Sequence, residues 1–422
     1  MTKLEVLYRH FGYTSFRSAQ ETLIDAQLSG RDVLGVMPTG AGKSICFQIP
    51  ALMLSGVTLV VSPLISLMKD QVMGLIKADV PAAFINSSLS VRQYQEVLRR
   101  TRVGQYKIIY VAPERLETAD FLQFATQMEI ALVAVDEAHC VSQWGQDFRP
   151  SYLKISTFIG KLKKRPIVGA FTATATTDVK ADIIRLLGLQ NPLSLTTGFD
   201  RQNLYFGVEK PKNKSVRFHE MIAQRSNMCG VVYCATRKTV DTVCAELRRN
   251  GVAASRYHAG LKDAERRLNQ DDFISSRISV MVATNAFGMG IDKPDVRYVI
   301  HYNMPKNLEG YYQEAGRAGR DGEPSECVLL FSDEDIRIAE YLIKDSGNDA
   351  PLTEWERRDV RYRDMARLDK MIRYCEVEGC LRQYILRYFG EKQKGVCGNC
   401  SNCNRPGWWV RVKQRFVSYS AQ

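Results

Sequence analysis

Short runs of apolar, β-branched residues recur along the chain, each stopping at a polar or glycine-containing segment. Their length suits buried strands rather than helices. A first series comprises Asp32-Val33-Leu34-Gly35-Val36, Thr58-Leu59-Val60-Val61, Ile108-Ile109-Tyr110-Val111, Val133-Ala134-Val135 and Ile167-Val168-Gly169-Ala170. A second comprises Gly230-Val231-Val232-Tyr233-Cys234, Ala253-Ala254-Ser255-Arg256-Tyr257 and Ser279-Val280-Met281-Val282-Ala283-Thr284. Residues 4–30 read as helices around a polar turn, and 352–395, rich in Arg, Tyr and Leu at helical spacing, as a helical pair. The pattern predicts an α/β chain: a first lobe over 1–205, a second over 206–340, a small helical module over 341–403, and a basic tail over 404–422 expected to be disordered.

Composition narrows this. A chain of 422 residues holds two to four domains. The net charge of +12 and pI near 9.1 favour a polyanionic partner, although a solvated basic surface gives the same total. No apolar run reaches membrane-spanning length, and the N-terminus lacks a basic-then-apolar signal, so the expectation is a cytoplasmic protein with no membrane partner, nucleoid-associated if bacterial. Of 11 cysteines, most are scattered singly and read as small buried residues. Cys380 and the cluster Cys397-Gly398-Asn399-Cys400-Ser401-Asn402-Cys403 are different. Two overlapping Cys-x-x-Cys spacings suit tetrahedral, structural Zn²⁺, with Cys375 a rival to Cys380 as the fourth ligand.

The strongest local signal follows the strand at Asp32. Met37, Pro38, Thr39, Gly40, Ala41, Gly42, Lys43 and Ser44 lead into a helix from Ile45. Glycines let backbone N–H groups close around phosphate oxygens, and the helix N-terminus adds positive potential. Lys43 would reach the β/γ-phosphates of ATP and Ser44 would ligate Mg²⁺. Met37 stands where the usual pattern has glycine. Upstream, Gln20 could read both edges of an adenine while Arg17 or an aromatic stacks on it; an ordinary surface Gln is the alternative.

The strand at Val133 ends in Asp136-Glu137-Ala138-His139. Asp136 suits the Mg²⁺ shell and Glu137 suits orienting or deprotonating an attacking water. The chain runs on into Ser142-Gln143-Trp144-Gly145-Gln146-Asp147-Phe148-Arg149-Pro150, a polar loop with aromatics fit to stack on bases. Phe171-Thr172-Ala173-Thr174-Ala175-Thr176 offers hydroxyls to Glu137 or His139. Ser62 and Arg115 fall just past the ends of other strands, where ligands gather in open α/β sheets. In the second lobe Arg317 and Arg320 lie three apart, on one face if helical, and could stabilise charge on the γ-phosphoryl across an ATP-closed cleft. Such arginines contribute about 10³–10⁵ in rate in related systems.

In this order the motifs resemble superfamily 2 helicases, two tandem RecA-like P-loop domains with parallel sheets followed by a helical zinc-binding module. The aromatic loop, Phe11-Gly12-Tyr13 with Phe16-Arg17 and Gln20, the run from Gly316 to Gly322, and Cys380 with Tyr388-Phe389-Gly390 and the cysteine cluster look like RecQ DNA helicases. The family loop commonly has His where Gln146 stands, and Pro at the position of Gln202. The resemblance implies Zn²⁺ on Cys380, Cys397, Cys400 and Cys403, and nucleic-acid contacts at Thr236, Arg237, His258 and Thr284. It implies ATP-driven 3′→5′ movement on single-stranded DNA, unwinding of partly duplex DNA in recombination, repair and replication, a single-stranded-DNA-binding protein as a further partner, and a monomer. The stretch after Cys403 is too short for the family's winged helix. The alternative is therefore a DNA-stimulated ATPase that translocates without robust unwinding; an RNA helicase of the superfamily is a third.

Overall fold

A computed structural model describes residues 1–63, 65–145, 148–287, 293–345, 353–391 and 395–404. Loop positions Gln146 and Asp147, the segment 288–292 and the basic tail from 405 onward lie outside the described residues. Among those described, no helix is long and apolar enough to cross a membrane.

The chain divides into two compact units, Met1–Gly198 and Phe199–Gln422. The first unit opens with α1 (Lys3–Phe11) and α2 (Ser18–Leu28), which pack on α3 (Ile45–Met53). Its sheet holds β1 (Val33–Val36), β2 (Val57–Val61), β3 (Ala82–Ile85), β4 (Ile108–Val111), β5 (Ile130–Val135), β6 (Ile167–Thr172) and β7 (Leu193–Thr196). They lie in the order β3-β4-β2-β5-β6-β1-β7 with every pair parallel. β1, β2 and β4 are buried along their whole length, which is why they read as unbroken apolar runs.

The second unit carries β8 (Leu204–Glu209), β9 (Gly230–Tyr233), β10 (Ala254–Tyr257), β11 (Val280–Ala283), β12 (Tyr298–His301) and β13 (Ser325–Leu330), again all parallel, in the order β10-β11-β9-β12-β13-β8. The helices Glu354–Glu376 and Leu381–Tyr388 form the expected helical pair.

The division between the compact units falls at Gly198/Phe199, and the two helices of the small module lie in the same compact unit as the second sheet. The polar stretch 199–204 is pinned. Phe199 stacks on Phe389 at 4.5 Å between ring centres, Tyr312 Oη donates to Phe199 O at 2.6 Å, and Asn399 Nδ2 donates to Gln202 O at 3.2 Å. Long-range partners decide this, and polarity along the chain does not reveal them.

Candidate nucleotide and nucleic-acid site

Parallel pairing puts every strand's carboxyl end on one edge of the first sheet. Register places Val36 beside Thr172, Ala170 beside Val135, Val135 beside Val61, and Val61 beside Val111. Read across, that edge presents the 37–44 loop, Thr172, Asp136, Ser62 and the turn Pro113–Glu117. The acid pair thus sits between the phosphate loop and the strand ends assigned to nucleic acid.

Met37 donates its N–H to Thr172 O at 2.9 Å, and its side chain enters the core with Cys46 and Phe47. This position contributes only backbone to the loop, so a glycine is not needed there. Lys43 Nζ donates to Met37 O at 3.3 Å. Ala41 N–H closes a turn onto Pro38 O at 3.1 Å, with Thr39 between them. Gly40 and Gly42 have φ of 81° and 78°, left-handed values that glycine adopts without strain. A Cβ on Gly42 would also lie 2.4 Å from Gln20 Nε2. Ser44 caps α3 without a side-chain capping bond, which leaves its hydroxyl for a metal.

Gln20 is 6% exposed, and the structure shows it engaged with the loop itself. Its Nε2 donates to Ala41 O at 3.1 Å and Gly42 O at 3.2 Å, and its Oε1 accepts from Arg17 N at 3.0 Å. Arg17 Nη1 donates to Gly40 O at 2.7 Å. The residues read as adenine-facing therefore also brace the phosphate loop.

Asp136 and Glu137 are buried at the tip of β5. Asp136 N–H donates to Val61 O at 2.9 Å, extending the ladder. Glu137 has φ 47° and ψ 47°, costly for a residue with a side chain. Its N–H donates to Asp136 Oδ1 at 3.0 Å. Burial raises the Asp136 carboxyl to about 7, helped by the Glu137 charge and opposed by Lys43.

His139 is buried, with Nδ1 2.8 Å from Thr172 Oγ1 and 3.3 Å from Glu137 Oε2. The single hydroxyl hydrogen of Thr172 goes to Thr174 O at 3.1 Å, so Thr172 accepts and His139 Nδ1 carries a proton. Burial acts to lower the His139 pKa, but Cys140 and Glu137 outweigh it and hold it well above the usual value. Buried in this way, His139 links Glu137 to Thr172.

The aromatic loop is closed at its base by Arg149 N donating to Cys140 O at 2.9 Å. Ser142 Oγ donates to Asp182 Oδ2 at 2.7 Å and accepts from Trp144 N at 3.0 Å. At Gly145 a Cβ would sit 2.1 Å from His139 O, so the loop can lie on the acid turn only with glycine there. Trp144 is 51% exposed, whereas Phe148 and Arg149 are half-buried, and Arg149 Nη1 donates to Pro63 O at 2.8 Å. Ser62 is buried. Arg115 lies over the Tyr94 ring at 5.5 Å.

In the second unit, Tyr257, Ala283 and Tyr233 are in register, so His258, Thr284 and Thr236 follow neighbouring strand ends. Thr236 caps the helix Arg237–Arg249 by accepting from Thr239 N at 3.1 Å. His258 Nε2 lies 3.1 Å from Asp241 Oδ1, and Arg237 and His258 meet around Gly260.

Arg317 and Arg320 are not on a helix as expected: the helix Leu308–Ala315 stops before them. Arg201 Nη2 donates to Ala318 O at 3.0 Å and Gly319 O at 2.7 Å, and Asn203 Nδ2 to Gly319 O at 2.9 Å. With Gly319 at φ 56°, these bonds fold the segment into turns. Arg317 is 5% exposed, and its Nε and Nη1 have no hydrogen-bond partner among the described residues. A buried guanidinium in that state favours an anion.

Among the described residues, the sulfurs of Cys380, Cys397, Cys400 and Cys403 all lie within 4.8 Å of one another, a grouping that includes Cys380 and not Cys375. Backbone N–H groups of Gln383, Asn399 and Cys403 donate to three of them at 3.3–3.4 Å, which favours thiolates. Four thiolates leave no open position, as in structural zinc sites. The cysteine loop also covers the edge strand β8. Ser401 N donates to Phe206 O at 2.9 Å, and Val208 N donates to Ser401 Oγ at 3.2 Å. Tyr152, Arg201, Asn203 and Arg382 escape sequence reasoning, because their partners are backbone atoms and, for Arg382, also the carboxylate of Asp200 182 positions earlier, which leave no spacing signal.

Two RecA-like units with parallel sheets, a phosphate loop and an Asp-Glu-Ala-His tip place the chain in the superfamily 2 helicase fold. Its segments match family models: residues 17–182 a DEAD/DEAH box helicase, 213–322 a helicase conserved C-terminal domain, and 333–404 a RecQ zinc-binding domain. The chain is 47% identical to ATP-dependent DNA helicase RecQ of Bacillus subtilis (strain 168) over 94% of its length and 66% of that protein. It is 42% identical to RecQ of Haemophilus influenzae, over 96% of its length and 64% of that protein. It is 37% identical to the probable ATP-dependent DNA helicase RecS of B. subtilis, over 96% and 92%. The chain belongs to the RecQ family of helicases, and spans about two thirds of the length of the curated RecQ relatives named here.

Solved structures share the fold at low identity. DEAD-box helicase Mss116 bound to ssRNA and UDP-BeF gives a TM-score of 0.67 at 16% identity, over 93% of this chain and 90% of that one. The DUF1998 helicase MrfA bound to DNA gives 0.67 at 17%, over 93% and 59%.

Proposed function

We propose that the protein is an ATP-dependent DNA helicase and translocase that moves 3′→5′ on single-stranded DNA and opens partly duplex DNA. The observation that carries this is the tip of β5, where the acid pair has the phosphate loop on one side and runs directly into an exposed aromatic loop on the other. Arg17 and Gln20 read adenine, the 37–44 backbone and Lys43 bind the phosphates, and Glu137 orients the attacking water. Mg²⁺, held by Ser44 and Asp136 with the nucleotide, supplies charge neutralisation at the phosphate oxygens. Arg317 and Arg320 stabilise charge on the γ-phosphoryl; the unpartnered nitrogens of buried Arg317 support that role. Trp144, Phe148 and Arg149 take single-stranded DNA, with Ser62, Arg115, Thr236, Arg237, His258 and Thr284 as further contacts. Cys380, Cys397, Cys400 and Cys403 would hold Zn²⁺, which would keep the loop that carries Ser401 folded beside β8.

We further propose that it works in DNA recombination, repair and replication, as a monomer near the chromosome in the cytoplasm, alongside a single-stranded-DNA-binding protein. ATP hydrolysis and strand separation, measured with DNA and RNA as single strands and forked duplexes of both polarities, test this reading. DNA-stimulated hydrolysis with unwinding of a 3′-tailed fork is expected. Hydrolysis without unwinding leaves a translocase, and preferential stimulation by RNA overturns the assignment.

A further inference from the structure

The peptide group joining the two acids is gripped at both ends. Its N–H, from Glu137, donates to Asp136 Oδ1 at 3.0 Å. Its carbonyl, from Asp136, accepts the Tyr152 hydroxyl at 3.0 Å. This plane sets both the direction of the Asp136 carboxylate and the left-handed backbone of Glu137 at φ 47°. A peptide left free to rotate would relax that backbone, because a residue with a side chain is strained there. The Tyr152 bond therefore opposes a relaxation that would move both acids.

Tyr152 is fully buried and sits in the short 3₁₀ turn Pro150–Leu153, just beyond the aromatic loop. Its own N–H donates to Arg149 O at 2.9 Å, and Arg149 N donates to Cys140 O at 2.9 Å. Arg149 in turn reaches Pro63 O through its guanidinium at 2.8 Å. Displacement of Arg149 by a bound strand must therefore carry Tyr152 with it. Among the described residues the loop meets the acid turn through Gly145 pressed on His139 O, through Arg149 N on Cys140 O and, just beyond it, through Tyr152 bonded to Asp136 O. The last bypasses His139.

We propose that Tyr152 is a positioning residue that transmits nucleic-acid binding at the aromatic loop to the two acids by holding the peptide between them. This rests on the reading of the site as a DNA-stimulated ATPase.

The test is Tyr152→Phe in the full chain, which keeps the ring and removes only the hydroxyl. Steady-state ATP hydrolysis is measured with and without oligo-dT, together with oligo-dT affinity and melting temperature. Tyr110→Phe is the control; it removes another buried hydroxyl of the same unit, one bonded to Gln48 and Gln71. The expected result for Tyr152→Phe is a fall in DNA-stimulated kcat of about tenfold, the scale of one buried hydrogen bond left unmade. Basal hydrolysis falls less than the stimulated rate, the KM for ATP and the affinity for oligo-dT stay within about twofold, and Tyr110→Phe behaves as wild type. Wild-type stimulation in Tyr152→Phe overturns the proposal. A parallel loss of basal and stimulated rates with a lowered melting temperature also overturns it, by assigning Tyr152 to packing. If wild-type protein itself hydrolyses no ATP, the reading of the site fails, and the role of Tyr152 fails with it.

Discussion

Arg382 offers a quantitative test of how the zinc module is held. It is almost fully buried and donates to Asp200 Oδ1 at 2.6 Å, to Arg201 O at 2.7 Å and to Leu204 O, while its guanidinium lies 5.3 Å from the Phe206 ring centre. Arg382→Met keeps an apolar stem on Phe206 and removes the charge. Leu204 O retains Asn399 Nδ2 as a donor at 3.2 Å and Arg201 O retains Leu204 N at 3.0 Å, so each carbonyl loses its charged donor without being orphaned. Loss of these charge-assisted bonds costs about 1–3 kcal/mol in all. Loss of the bond to Asp200 adds a similar amount, discounted because that side chain is 24% exposed and can hydrate. Relief from burying the guanidinium offsets part of the sum, leaving about 3 kcal/mol. For a unit of this size that lowers the melting temperature by roughly 6–12 °C. Differential scanning calorimetry on zinc-replete protein reads the shift directly. A shift under about 2 °C would refute the reasoning that these bonds anchor the module.

Further expectations follow from the same geometry. Lys43→Ala should abolish ATP hydrolysis, since no other ammonium reaches the loop carbonyl of Met37 among the described residues; hydrolysis near the wild-type rate would remove the phosphate-loop assignment. Metal analysis of purified protein should find about one zinc per chain, falling in Cys400→Ser together with the protection of β8 amides in hydrogen exchange; a folded, zinc-free wild type would contradict the cysteine site. The Asp136 carboxyl, raised to about 7, keeps in the folded state a proton that the unfolded chain releases near its ordinary value of 3.8. The Asp136 contribution to the stability of the nucleotide-free protein should therefore be lost as pH rises from about 4 to about 7, with the loss from His139, held protonated in the folded state, continuing above. Mg·ATP affinity should rise over the same window, and Asp136→Asn should flatten both curves; an unchanged urea midpoint from pH 5 to 7 in both proteins would oppose this.

Much of the fold is legible in the chain because parallel strands covered on both faces must be short and apolar. β4 was read with its observed bounds, and β1, β2, β9, β10 and β11 to within a residue or so. β3, β7, β8, β12 and β13 were not singled out. β7 is the instructive case, since its residues are half-buried or exposed and carry no apolar run. The phosphate loop and the acid pair are written locally, in glycines and adjacent carboxylates. The bracing of that loop by Gln20 and Arg17, the capping of the 316–319 turn by Arg201, and the grip of Tyr152 on Asp136 are side-chain bonds to distant backbone atoms, which no spacing encodes. The pinning of 199–204 was hidden for a similar reason: a polar segment looks like a linker until its partners are seen.

The central claim is that the acid pair answers to nucleic acid through the loop it runs into. The most direct measurement is the ratio of ATP hydrolysis with saturating single-stranded DNA to that without it, in wild type and Trp144→Ala. A large ratio is expected in wild type and a ratio near one in Trp144→Ala, with ATP binding preserved. Equal stimulation in the two proteins would contradict the claim.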